Sequence, residues 1–148
     1  MTLPMHELRE IAEHCLRGEP LGQAAGRWLG TALVAFLEHR ARSLEEAMGL
    51  LTERGGISWW VAAANGARDD ALRGLADRFW PAESVAAKAR RIHALAVRYA
   101  ASAWRHDKDT PMPPAHYVDT PHILLWRAFK SGARMPLGER QLRNILRY

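Results

Sequence analysis

TPHILLWRAFKSGARMPLGERQLRNILRY, residues 120–148, carries the signals of two helices and of a break between them. Thr120 stands before Pro121, a pairing that predicts a helix start. The Thr hydroxyl is expected to accept an early backbone N–H, and proline at the first helical position loses no intrahelical bond. Ile123, Leu124, Leu125, Ala128 and Phe129 then form a broad apolar face, and Gly132 is the expected stop. A second helix is expected to begin near Leu137 or Gly138, with Leu142, Ile145 and Leu146 as a narrow stripe toward the core.

The other face of that last helix holds Arg140, Gln141, Arg143, Asn144 and Arg147. Forked guanidinium donors and side-chain amides are the groups that read guanine and adenine edges in a major groove. With Arg127, Lys130 and Arg134 just upstream, these eight residues make the expected nucleic-acid-binding set. The register matches a helix-turn-helix only in part. Placing Gly132 in the turn puts Ala128 where a small residue is wanted, but Arg127 falls at an apolar position. Leu142 and Ile145 come into register only with a turn four residues longer. The plain alternative is a helical hairpin that closes a bundle and shows its arginines to water.

Working outward, apolar residues keep helical spacing along the chain, and no segment alternates as a strand does. A first helix is expected over 4–17, with Leu8, Ile11, Ala12, Cys15 and Leu16 inward. His14 beside Cys15 is not read as a catalytic pair, because adjacent helical residues point about 100° apart. Cys15 is expected to be a buried, inert thiol. The second helix, 21–42, has the strongest pattern: Leu21, Ala25, Trp28, Leu29, Ala32, Leu33, Phe36 and Leu37 predict a central, well-buried rod. Gly22, Gly26 and Gly30 recur every four residues beside it, which suits close approach by a neighbouring helix or by a second copy in a homodimer. Ser43 and Glu46 form a capping box for a short third helix with Leu44, Ala47, Met48 and Leu51 inward.

Gly55-Gly56 reads as a hinge. A helix follows over 58–80, with an interruption expected at Asn65-Gly66 and Pro81 as its stop. Trp59 and Trp60 offer stacking surfaces for a single-stranded base, although the preferred reading anchors at least one in the core. The helix over 84–106 presents Val85, Ala89, Ile92, Ala96, Tyr99, Ala100 and Ala103 as a slim stripe suited to the second helix. Lys88, Arg91, Arg98 and Arg105 lie off that stripe, where they either extend a basic surface or form a solvated face, the commoner outcome.

Residues 106–122, HDKDTPMPPAHYVDTPH, read as a Pro-rich connector. His106, Asp107, Asp109, His116, Asp119 and His122 have the composition of metal ligands but no recognised ligand spacing. No catalytic residue, metal site or cofactor is assigned.

The charge is uneven. Residues 1–56 hold six Arg against eight Glu, whereas residues 111–148 hold six Lys or Arg against two acids. A basic C-terminal third on a near-neutral body suits a phosphate-bearing partner. The longest apolar run, near 31–37, is too short for a membrane span. The N-terminus lacks a secretory layout, and one cysteine excludes an intrachain disulfide, so a cytoplasmic setting is expected.

The expected architecture is an all-α single domain of six or seven helices ending in a helix-turn-helix-like hairpin. Residues 1–107 would be scaffold, 108–119 the connector and 120–148 the hairpin, with the second and fifth helices central. The expected function is a DNA-binding accessory or regulatory protein. A non-catalytic helical adaptor is the alternative, and a metal-dependent enzyme using the His/Asp-rich loop is third.

Overall fold

The computed structural model describes residues 3–51 and 56–148, with side chains from Leu8 onward. Among these residues it is all-helical: eight α-helices, one short 3-10 turn and no strand. None of the helices is long and apolar enough to cross a membrane. Gly55 of the expected hinge lies outside the described residues. The chain divides into two compact units, Met1–Trp59 and Trp60–Tyr148.

The first unit contains α1 (Leu3–Arg17), α2 (Gln23–Leu37) and α3 (Leu44–Ala47). Ser43 caps α3 as expected: its Oγ accepts the Glu46 N–H at 3.1 Å, and the Glu46 carboxylate accepts the Arg42 N–H at 2.6 Å. Gly49 then turns left-handed at φ 70° and the helix closes, with the Leu50 N–H reaching the Glu45 carbonyl at 2.9 Å. That reversal swings Leu50 into the core and leaves Leu51 exposed, the opposite of what uninterrupted helical spacing predicts. Ala32, Met48 and Leu50 form the buried centre, with Leu8, Trp28, Leu29, Leu44 and Trp59 packed around it.

The second helix is shorter and far less buried than its pattern implies. It ends at Leu37 rather than Arg42, because His39 takes a left-handed conformation at φ 55° and Arg40 N–H bonds back to the Ala35 carbonyl. Ala25 and Ala32 are buried, but Leu33, Phe36 and Leu37 are 38%, 40% and 71% exposed. Within the unit α2 packs on α1 and α3. The four residues of α3 are one turn, too short to cover a fifteen-residue helix. The glycine ridge is in ordinary contact at one end and open at the other. Among the described residues a Cβ on Gly22 would lie 3.5 Å from the Glu10 carboxylate of α1 and one on Gly26 3.8 Å from Leu21, while one on Gly30 would meet nothing within 4 Å. The first helix shows the same shortage of partners. Ile11 is buried, but Cys15 and Leu16 are exposed, so the thiol is not the enclosed one expected.

The second unit is built from α4 (Trp59–Phe79), α5 (Val85–Ala101), α6 (Trp104–Asp107), α7 (Pro121–Lys130) and α8 (Glu139–Leu146). Leu72, Leu75, Ile92, Tyr99, Leu125 and Leu142 are fully buried, interleaved with the small residues Ala76, Ala89 and Ala128. Alternating large and small side chains lets helices approach closely at crystal-like density. The expected interruption of α4 at Asn65-Gly66 does not occur. The Asn65 amide oxygen accepts from Arg68 one turn on instead of competing for its own backbone. Ser84 caps α5 through the Ala87 N–H at 3.2 Å. The helix stops at Ala101, not His106, where Ser102 donates its hydroxyl to the Arg98 carbonyl and leaves the helical region. The stripe of α5 packs on α8, so the partner expected in the second helix is supplied within this unit.

Candidate nucleic-acid interface

The last helix owes its orientation to one buried leucine and two arginines of α4. Leu142 is 1% exposed, with Ile145 and Leu146 beside it in the core, as the stripe predicts. At 3.6 residues per turn, that places Arg140, Asn144 and Arg147 on the opposite side, with Arg143 on the flank. Arg68 donates to the Arg134 carbonyl at 2.6 Å, where the chain approaches α8. Arg73 donates through Nε to the Ile145 carbonyl at 2.9 Å, satisfying an orphan acceptor of the last turn. Arg78 pairs with Asp119 at 2.6 Å, next to the start of α7. The main helical neighbour of α8 is α5 rather than α7.

Arg127, Arg134, Arg140, Gln141, Asn144 and Arg147 are exposed, and Arg143 is half-buried. Among the described residues, none of these five arginines has a carboxylate within 4.0 Å. Two members of the expected set are otherwise engaged. Lys130 donates to the Lys108 and Thr110 carbonyls, both at 2.7 Å, and its ammonium lies 5.7 Å from the centre of the Trp126 ring. It fastens the connector to α7. The Gln141 carbonyl oxygen accepts the Leu137 N–H at 2.8 Å, which leaves its NH₂ group as the outward function.

The expected extension of the basic surface along α5 is only half there. Lys88 pairs with Asp77 at 3.2 Å. Arg91 pairs with Glu83 at 2.7 Å, which holds its pKa above the usual arginine value. Arg98 and Arg105 are exposed, and neither has such a partner among the described residues.

Beside α8 lies a shallow cleft of about 400 Å³. Met135, Pro136, Leu137 and Ile145 supply its apolar walls, and Arg134, Gln141 and Asn144 supply outward polar groups. Arg68 also borders it, but that guanidinium is held by Asp69 at 2.7 Å and by the Arg134 carbonyl.

The His/Asp-rich connector is held by aromatic packing. Asp107, 7% exposed, accepts hydrogen bonds from the Tyr99 and Tyr117 hydroxyls, both at 2.7 Å. Burial and the nearby carboxylate push the Tyr117 phenol up to about 12, and Tyr99 is raised further by the same causes. His122 stacks on Tyr117 at 5.3 Å, and His116 meets its edge at 4.5 Å. The Thr120 hydroxyl does not accept the backbone N–H expected of it; it donates to the Tyr117 carbonyl at 2.8 Å, and the Thr120 carbonyl accepts the Ile123 N–H at 3.2 Å. Among the described residues no three His, Cys, Asp or Glu side chains converge as a metal would require.

Trp59 packs in the first unit's core, with its indole N–H 3.3 Å from Glu45, while Trp60 is 55% exposed. Sequence reasoning passed over Arg68, Arg73 and Arg78. Their five-residue spacing along α4 was the one available signal, but their carbonyl and carboxylate partners lie 41 to 72 residues away. Comparison with protein-family models, curated proteins and solved structures finds no match to this chain.

Proposed function

We propose that the chain is a DNA-binding accessory or regulatory protein that docks duplex through the outer face of α8. The observation that carries this reading is where the acids go. The second unit holds fifteen Lys or Arg and eight Asp or Glu. Five of those acids, Asp69, Asp70, Asp77, Glu83 and Asp119, pair with cations of α4 and α5. Asp107 is held by two tyrosines. Of the remaining two acids, Asp109 lies in the connector and Glu139 in the first turn of α8 itself, with no cation within 4.0 Å among the described residues. Arg127, Arg134, Arg140, Arg143 and Arg147 are left without carboxylate partners among the described residues. An uncompensated arginine set releases counterions when it meets phosphates, which drives sequence-independent association. Asn144, at the border of the same face, supplies an amide of the kind that reads a base edge.

Fluorescence polarisation with a labelled DNA hairpin at low salt tests the reading. Wild type should bind, and changing Arg140, Arg143 and Arg147 together to Ala should flatten the salt slope by about 0.9 for each lost phosphate contact. Absence of binding at tens of micromolar protein, roughly where non-specific binders still register, overturns it.

The second reading, a helical adaptor, is favoured by a different feature. Leu33, Val34, Phe36 and Leu37 form exposed apolar surface on α2, the kind of patch that marks protein contacts.

A further inference from the structure

We infer that the cleft beside α8 receives a single unstacked nucleobase, so that the protein prefers a duplex with a single-stranded end over a blunt one. This rests on the duplex-docking reading above and adds a second contact to it. Position around α8 is the first ground. Successive residues turn about 100°, which places Asn144 on the border between the arginine face and the side occupied by Gln141 and Ile145. The cleft therefore opens directly off the surface assigned to phosphate, and a strand lying on Arg140 and Arg147 can turn a base into it.

The second ground is chemical. Pro136, Leu137 and Ile145 give apolar surface for the flat face of a base. About 400 Å³ falls within the range of small-ligand sites. The polar groups at the walls are mainly donors. The Arg134 guanidinium has no carboxylate partner among the described residues, and Gln141 has its oxygen occupied and its NH₂ outward. Asn144 contributes both a donor and an acceptor. The Asn144 amide suits the paired N6 and N7 positions of adenine, and the outward donors suit the N7 acceptor of the same base. A duplex keeps most of those faces stacked, whereas a strand end offers them without the unstacking cost. Arg68 contributes no free charge, because Asp69 already holds it.

The test compares the full-length chain on two labelled hairpins with identical stems, one blunt and one bearing a short adenine-rich overhang. Titration with dAMP alone forms a third arm. Wild type should bind the overhang about tenfold more tightly than the blunt hairpin, the effect of one good base contact. Leu137→Ser removes an apolar wall from a residue that is 72% exposed. It should cut that ratio to near unity while leaving blunt-hairpin affinity and the melting temperature unchanged. Equal affinity of wild type for both hairpins overturns the inference and leaves duplex docking standing. Failure to bind either hairpin overturns both readings. Saturable dAMP binding with no gain from the overhang makes the cleft a free-nucleotide site and also overturns the inference.

Discussion

The two units use similar apolar spacing and reach opposite degrees of burial. In the first, α2 carries the most regular apolar pattern of the chain, yet Leu33, Phe36 and Leu37 remain exposed. In the second, the sparser stripe of α5 encloses Ala89, Ile92 and Tyr99 at 2% exposure or less. The difference lies in the opposing elements. Four helices and a connector surround the α5 stripe, whereas one full-length helix and a single turn face α2. A pattern of apolar residues states which face seeks burial; a neighbour of sufficient length has to supply it. The first unit, at about sixty residues, is also of a size at which burial is intrinsically marginal.

Truncating one leucine in each unit should separate them most sharply. Leu75→Ala, at a fully buried position, should cost about 2–5 kcal/mol in urea unfolding. Leu33→Ala should cost about 1 kcal/mol or less, as changes at largely solvated positions do. Similar losses for both would mean that α2 is covered in solution and would erase the contrast.

The next effect belongs to the polar centre of the second unit. Asp107→Ala strands two buried phenol hydroxyls, and each unsatisfied buried group costs about 1–3 kcal/mol. A drop of about 2–4 kcal/mol is expected, with the connector's amides losing hydrogen-exchange protection first. Unchanged protection across 108–119 would show that aromatic packing holds the connector without the carboxylate.

Alkaline pH probes the same network with a smaller effect. Tyr117 titrates near 12 when folded, against 10.0 as the ordinary value, and Tyr99 is shifted in the same direction. The folded state then holds protons that the unfolded chain releases, so stability is intact below pH 10 and falls as pH rises toward 12. Each tyrosine contributes a slope of about 1.4 kcal/mol per pH unit in that window. Denaturation midpoints followed together with tyrosinate absorbance check this. Ionisation of both tyrosines at the ordinary pH, without loss of stability, would count against enclosure of the pair.

The smallest change should be a gain. Gly30→Ala adds a methyl where no described residue lies within 4 Å and should stabilise α2 by about 0.5–1 kcal/mol. If the glycine ridge instead seats a second copy of the chain, the same substitution should weaken self-association in sedimentation.

How much of this was legible depended on whether a feature is local. Helical class, the Ser43 cap, Pro121 opening α7, the left-handed Gly132 after it and the buried Leu142 stripe all arise within a few residues of chain. Backbone sterics, capping and helical period determine them without reference to the rest of the molecule. So do the identities of the residues on the outer face of α8. Tertiary structure decided everything that needs a partner. It left the α2 face exposed, turned Leu50 inward in place of Leu51, and used Lys130 to fasten the connector. It matched Arg68 and Arg73 to carbonyls 66 and 72 residues away. It also brought Tyr99 and Tyr117 onto one carboxylate, and paired five acids with cations of α4 and α5, so that among the described residues Arg140 and Arg143 of α8 have no carboxylate within 4.0 Å. A side chain's chemistry is written in the sequence, but whether it is buried, paired or free depends on which distant groups the fold brings within a few ångströms.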